Sequence, residues 1–205
     1  ERLSSLYNLK CIIIEKRPHL GGNCYDFQNN KGLFVHKYGP HYFRTNNMLI
    51  IDYLKKFTKF KNVNYVVKCY DKSNFYDLPI NINTLNKYFN KNLKSEKEAK
   101  KFLSSISGKY QNPKNSEQQM KNIIGKDLYE LIYKNYTKKM WGTEPSKIPL
   151  KTFLRIPIRY NFDDRYFDEQ YQVFPKSGYT SMFSKMTNSA NIKILYNLDY
   201  FKLDK

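Results

Sequence analysis

"KCIIIEKRPHLGGN", residues 10–23, decides how the rest of the chain is read. Cys11 to Ile14 form a short unbroken apolar run, which predicts a strand buried on both faces, as in a parallel sheet. Glu15 closes that run. In nucleotide-binding α/β folds, a carboxylate at the end of the second strand accepts ribose hydroxyls. Lys16 and Arg17 add positive charge, and Gly21-Gly22 permits positive φ and close approach of a ligand to the backbone. An ordinary strand followed by a glycine turn has the same pattern. None of the eight glycines (21, 22, 32, 39, 108, 125, 142 and 178) completes a G-x-G-x-x-G, so this stretch alone leaves both readings open.

The segment before it, "ERLSSLYN", carries Leu3 and Leu6 at helical spacing and Asn8 at its end, which predicts the last turns of a helix. Helix followed by buried strand is the second half of a βαβ unit. The first strand, with its phosphate-binding turn, is therefore expected ahead of Glu1.

Further along, residues 33–37 and 65–78 are β-like, and "NNMLIIDYLKKF" (46–57) is an amphipathic helix with apolar residues at 48, 50, 51, 54 and 57. Between 80 and 140 four helix-like stretches follow, several preceded by Ser or Asn in capping positions. "GTEPSKIPLKTF" (142–153) reads as a loop because of its Gly and two prolines. Residues 153–174 alternate aromatics with Arg, as strands do. "GYTSMFSKM" opens a helix after Gly178, and "NIKILYN" (191–197) is another short apolar strand.

The net charge of +18 makes nucleic acid the first partner to weigh. The kind of base argues against it. Only six of the 36 basic residues are Arg, the residue suited to forking onto phosphates and bases. The lysines are spread among Asn, Ile, Tyr and Phe, which reads as a solvated surface and not as a nucleic-acid footprint. Three cysteines without CxxC spacing exclude a disulfide framework and a zinc site. No apolar stretch approaches the length needed to cross a bilayer.

Three further stretches carry chemistry. "HKYGPHYF" (36–43) holds two of the three histidines around Gly39-Pro40, a turn suited to lie against a flat cofactor; neither His36 nor His41 has ligand partners at metal-binding spacing. "NYTKKMWG" (135–142) contains the single Trp. "RIPIRYNFDDRYF" (155–167) gathers three of the six arginines among Tyr160, Phe162 and Tyr166. Arg holds phosphate through paired hydrogen bonds, and Tyr or Trp stacks on a base or sugar. An aromatic core with Arg–Asp pairs would look the same.

Together and in this order, "EKRPHLGGN", "HKYGPH", "YTKKMWG", "RIPIR", "DRYF" and "YQVFPKSGYT", with "DLPININ" between the second and third, resemble the bacterial UDP-galactopyranose mutase family. The resemblance covers essentially the whole chain. It implies an α/β fold: an FAD-binding Rossmann-like domain with an inserted helical subdomain and an antiparallel sheet domain. The implied layout is 1–45 as part of the FAD-binding domain, 46–79 as bridging elements, and 80–141 as the helical subdomain. It continues with 142–155 as a mobile substrate loop, 156–176 as an antiparallel sheet segment, and 177–205 returning to the FAD-binding domain.

The implied reaction interconverts UDP-galactopyranose and UDP-galactofuranose on reduced FAD, with flavin N5 as nucleophile, a covalent flavin N5–sugar intermediate and no net redox change. No protein side chain then acts as the catalytic nucleophile. Glu15, Lys16, Arg17, Gly21, Gly22 and Asn23 are the implied FAD contacts, with Tyr38, Gly39, Pro40 and His41 lining the isoalloxazine. Tyr136 would stack on uracil with Thr137 beside it, and Trp141 would open the substrate loop. Arg155 would bind the diphosphate and Tyr166 would hydrogen-bond a phosphate. The resemblance further implies a cytoplasmic enzyme that takes a UDP-galactose substrate, no metal, no nucleic acid and no membrane insertion, and it leaves homo-oligomerisation open.

Arg44 departs from the family pattern, standing where a second His is usual. The family's glycine-rich first strand is expected before Glu1 and its closing substrate and FAD segments after Lys205, so the chain alone is expected to be incomplete for tight FAD binding. Two other readings stay open here: a different FAD-dependent oxidoreductase of amine-oxidase type, and a non-enzymatic basic binding protein.

Overall fold

The computed structural model describes residues 1–150 and 157–203. The chain divides into two compact units, one formed by residues 1–64 and the segment from Glu169 onward, the other by Tyr65–Asp168.

In the first unit, helix α1 (Arg2–Tyr7) ends as the sequence predicts: Asn8 takes the left-handed conformation and its N–H returns to the Leu3 carbonyl. Strand β1 (Cys11–Ile14) follows and pairs in parallel with β9 (Ile192–Leu195), Cys11 lying opposite Ile192. The expectation of burial on both faces is corrected. Ile12 is 67% exposed. Among the described residues β1 is hydrogen-bonded on one edge only and is incompletely covered.

A hairpin of β2 (Asp26–Gln28) and β3 (Phe34–His36) follows β1. Three antiparallel strands make the other sheet, with β8 (Tyr171–Pro175) between β4 (Phe43–Thr45) and β5 (Phe60–Asn62). Helix α2 (Met48–Leu54) is capped by the Asn47 side chain, buries Ile51 and Leu54, and stops short of Phe57.

Helix α7 (Tyr179–Thr187) opens after Gly178, as expected, but its cap comes from far away. Buried Asp26 accepts the backbone N–H groups of Tyr179 and Thr180 at 2.6 and 2.8 Å. This carboxylate satisfies N–H groups that the helix itself leaves unpaired. Gly178 has φ +83°, and a Cβ there would lie 2.7 Å from Phe34 and 2.9 Å from Asp26. Only glycine fits between β2, β3 and the helix start.

The second unit begins with the hairpin β6 (Val67–Tyr70) and β7 (Phe75–Leu78), turned by Asp71, whose side chain accepts the N–H groups of Ser73 and Asn74. Helices α3 (Ile82–Phe89), α4 (Glu96–Ile106) and α5 (Ser116–Leu128) are capped by Asn81, Ser95 and Asn115, each accepting a backbone N–H from the first turn. At Gly125 (φ +80°) α5 breaks: a Cβ would lie 2.5 Å from the Ile106 carbonyl oxygen, so the close approach of α4 requires glycine. A π-helical turn (Tyr129–Tyr133) leads directly into α6 (Lys134–Trp141), which Gly142 ends in the left-handed conformation. Ile80, Ile82, Leu85, Ala99, Ile124 and Leu128 are fully buried at the centre of this unit.

The strand character expected over residues 153–174 is present in β8. Over 157–170 it reduces to a single antiparallel bridge, Val66 to Arg165. Side chains take over the backbone's partners there. Asn161 and Asp163 accept the N–H groups of Asp163 and Arg165, and Arg159 donates to the carbonyls of Arg165 and Phe167.

Candidate functional site

The singled-out residues form two groups, one in each unit. In the first unit Glu15 follows β1, and its backbone is tied to the residues after β9: its N–H donates to the Leu195 carbonyl and its own carbonyl accepts from Leu198. Its carboxylate Oε1 accepts the Arg17 N–H at 2.8 Å. Lys16 points to a different partner, pairing with Asp199 at 2.9 Å. The Lys16 hydrogen bond, with the Phe201 N–H next, holds the Asp199 carboxyl below its usual range.

Arg17 turns back across the glycines. It donates to the Asn23 side-chain oxygen at 2.7 Å, and its guanidinium lies 4.3 Å from the centre of the Tyr38 ring. His19 bonds the Tyr38 hydroxyl through Nε2 at 2.7 Å and stacks on Tyr25 at 3.8 Å. Gly21 and Gly22 both have positive φ, and a Cβ added to Gly22 would meet nothing nearer than Arg17 Nη1 at 3.8 Å. Gly21 packs against Phe183 and Tyr25, so the open backbone is that of Gly22, beside a cluster of Arg17, Asn23, Lys37 and Tyr38.

Gly39 (φ +93°) has open space around it. The ring Nδ1 of His41, beyond Pro40, is bonded to the Gly39 carbonyl at 2.8 Å, and the His41 N–H donates to His36 Nδ1. Arg44 on β4 pairs with Glu169. Burial, with Asp26 adding to it, pushes the Cys24 thiol up. Among the described residues no three His, Cys, Asp or Glu side chains gather as a metal site would require.

In the second unit the structure brings Tyr136 and Tyr166 together, hydroxyl to hydroxyl at 2.9 Å. The Tyr166 N–H donates to the Tyr65 carbonyl at 2.7 Å, and its ring meets Tyr65 and Phe167 edge-on. Tyr133 is buried below with no hydroxyl partner among the described residues, and burial drives its phenol strongly upward. Thr137 follows Tyr136 on α6, and Trp141 ends that helix 47% exposed. Arg155 lies outside the described residues. Arg159 and Asp163 make a partly buried ion pair at 3.0 Å; the Arg165 hydrogen bond, with Arg159 adding to it, holds the Asp163 carboxyl low.

Sequence reasoning missed His19, Tyr25 and Lys37 in the first group and Tyr65, Tyr133, Phe167 and the Arg159 contacts in the second. His19 stands inside the opening motif and was legible. The Tyr65–Tyr166 contact spans a long sequence separation, while Arg159 meets Asp163, Arg165 and Phe167 within eight positions through side chains that no periodic pattern announces.

A family model described as UDP-galactopyranose mutase matches residues 131–205, and one described as NAD(P)-binding Rossmann-like domain matches residues 1–57. The chain is similar in sequence to UDP-galactopyranose mutases and to a dTDP-fucopyranose mutase. It is 39% identical over 194 residues to a dTDP-fucopyranose mutase of Escherichia coli, covering 94% of this chain and 51% of that protein. It is 38% identical over 184 residues to a probable UDP-galactopyranose mutase of Klebsiella pneumoniae, covering 89% and 48%. It is 33% identical over 198 residues to the UDP-galactopyranose mutase of Mycoplasma genitalium, covering 93% and 48%.

The fold is similar to a crystal structure of reduced UDP-galactopyranose mutase, with a TM-score of 0.67 at 14% identity, over 96% of this chain and 45% of that one. The chain thus spans about half the length of the curated mutases it matches. Among its described residues no helix is long and apolar enough to cross a membrane.

Proposed function

We propose that this chain supplies the ribose side of an FAD site and the nucleotide-binding side of a substrate site in a mutase that interconverts UDP-galactopyranose and UDP-galactofuranose. The observation that carries this reading is the run of mutase-like sequence along 94% of the chain, with Tyr136 and Tyr166 side by side in the segment whose family model is the mutase's own. The mutase family is FAD-dependent.

The residues present fit that cofactor. Glu15 stands at the carboxyl end of a parallel strand, where a ribose is held by its hydroxyls. Gly22 leaves its backbone accessible, with Arg17 and Asn23 beside it, while Lys16 pairs with Asp199. Tyr38, Gly39, Pro40 and His41 form the wall for the flavin ring.

When bound and reduced, the flavin supplies the nucleophile for the anomeric carbon; atoms are rearranged with no net redox change. The chain's own residues bind and orient. Tyr136 offers a ring face to the base with Thr137 beside it, and Tyr166 gives its hydroxyl to a phosphate oxygen. Trp141 opens the loop that leads to Arg155, the diphosphate ligand in this reading. A charged nucleotide-sugar substrate fits a reaction in the cytoplasm.

A second reading concerns the substrate alone. The relative at 39% identity is named a dTDP-fucopyranose mutase, so a dTDP-linked sugar competes with the UDP-linked one. Turnover of the dithionite-reduced protein, supplied with excess FAD and offered UDP-galactofuranose and dTDP-fucofuranose in parallel, followed by separation of the sugar nucleotides, tests both. Formation of UDP-galactopyranose is expected. Conversion of dTDP-fucofuranose alone favours the second reading, and conversion of neither overturns the mutase assignment.

A further inference from the structure

We propose that Arg159 is a positioning residue for Tyr166 and not itself a ligand of the phosphates; this rests on the nucleotide half-site proposed above. Its side chain is 10% exposed and already engaged. Nη1 donates to Asp163 Oδ2 at 3.0 Å, and Nη2 reaches Asp168 Oδ1 at 2.6 Å. Nη2 also donates to the carbonyl oxygens of Arg165 at 2.8 Å and Phe167 at 3.2 Å.

Those two carbonyls belong to the residues on either side of Tyr166. The guanidinium therefore clasps the chain immediately before and after the tyrosine. The Arg159 N–H in turn donates to the Ile80 carbonyl at 2.8 Å, which anchors the clasp to the buried centre of the second unit. Tyr166 is held at three further points: its N–H on the Tyr65 carbonyl, its hydroxyl on Tyr136, and its ring against Phe167.

Two carboxylates pair with Arg159: Asp163, which Arg165 shares, and Asp168. A phosphate would have to displace them to be bound directly. The geometry also needs arginine. A planar fork can serve two carboxylates and two carbonyls together, whereas a lysine keeps the charge as a point and loses the fork.

The test is a double-mutant cycle on UDP affinity, measured by calorimetry for the wild type, Arg159→Lys, Tyr166→Phe and the double variant. Arg159→Lys is expected to weaken UDP about tenfold, the loss of one to two net hydrogen bonds. Combined with Tyr166→Phe it is expected to add no more than about twofold, because its effect passes through the Tyr166 hydroxyl. Uridine, which lacks the phosphates, should bind all four alike. An Arg159→Lys loss that persists in full in the Tyr166→Phe background overturns the proposal.

Asp168→Asn, at the exposed end of the clasp, covers the case in which Arg159→Lys does not fold, and should weaken UDP in the same direction by a smaller factor. A ligand-free readout separates this proposal from the assignment of function. In protein labelled at the tyrosine ζ carbon, Arg159→Lys should shift the Tyr166 resonance as Tyr136→Phe does. A Tyr166 resonance that stays in place overturns the clasp, whereas failure of the wild type to bind UDP overturns the nucleotide half-site.

Discussion

The two units solve the same problem in different ways. Tyr65–Asp168 packs Tyr136, on α6, and Tyr166, on the irregular segment that follows residue 157, against a fully buried core. The other unit buries Ile51, Leu54, Val173, Tyr179 and Met182 among its described apolar side chains, with half-buried aromatics around them, and holds Arg17, Asn23 and Tyr38 on loops through glycine turns and cation–π contact. A site on a packed helical core is fixed by volume, while a site on turns is fixed by backbone conformation. The first should be sensitive to lost methylenes and the second to added ones.

The largest expected effect follows from the first half of that statement. Leu85→Ala, at a residue with no exposure, should cost about 2–5 kcal/mol in denaturant unfolding. Ile12→Ala, at a residue 67% exposed, should cost less than about 0.5 kcal/mol. Equal losses would break the contrast.

Gly178→Ala comes next. Its backbone (φ +83°, ψ 161°) is a region in which only glycine is at ease, so the substitution should cost about 1–3 kcal/mol before any contact with Phe34 and Asp26 is counted. Hydrogen exchange should show the loss in α7 and β2 while the helices of the second unit keep their protection.

A smaller effect is electrostatic. Burial alone raises the Asp77 carboxyl, but hydrogen bonds from Lys68, Asn81 and Asn83 outweigh it and hold the group below its usual range. A carboxylate depressed in the folded state gives stability that is present above its unfolded pKa, near 4, and is lost as pH falls through the folded value. Thermal melts of the second unit should therefore lose stability below about pH 4. Asp77→Asn should flatten that part of the profile. An unchanged acid limb would show that Asp77 is not responsible.

The smallest effect is at Lys100, paired with Glu96 on an exposed helix face. Lys100→Ala should change stability by no more than about 0.5 kcal/mol.

What the sequence made legible follows the same division. Caps, glycine stops and apolar runs are local signals, so α1 with Asn8, β1, the three Asn- or Ser-capped helices, α7 and β9 are all readable in the amino-acid order. The motif residues of both half-sites are readable as well, because their spacing matches a family. Partner choice is not. Asp26 capping a helix 153 positions away, and Arg159 drawing strand-like sequence over 157–170 into an irregular clasp, depend on which side chains arrive together in space. Alternating aromatics predict strands there, but hydrogen bonds from Asn161, Asp163 and Arg159 replace the ladder. The composition around Ile12 predicts burial, yet burial depends on what covers the strand.

The central claim is that Tyr136 and Tyr166 form the nucleotide-binding side of a sugar-nucleotide mutase. A titration of tyrosine-labelled protein with UDP, and in parallel with dTDP, tests it most directly. Saturable shifts at Tyr136 and Tyr166, abolished for the base-stacking partner by Tyr136→Ala, are the predicted result. Saturation without any shift at these two rings, or no saturable binding of either nucleotide, would contradict it.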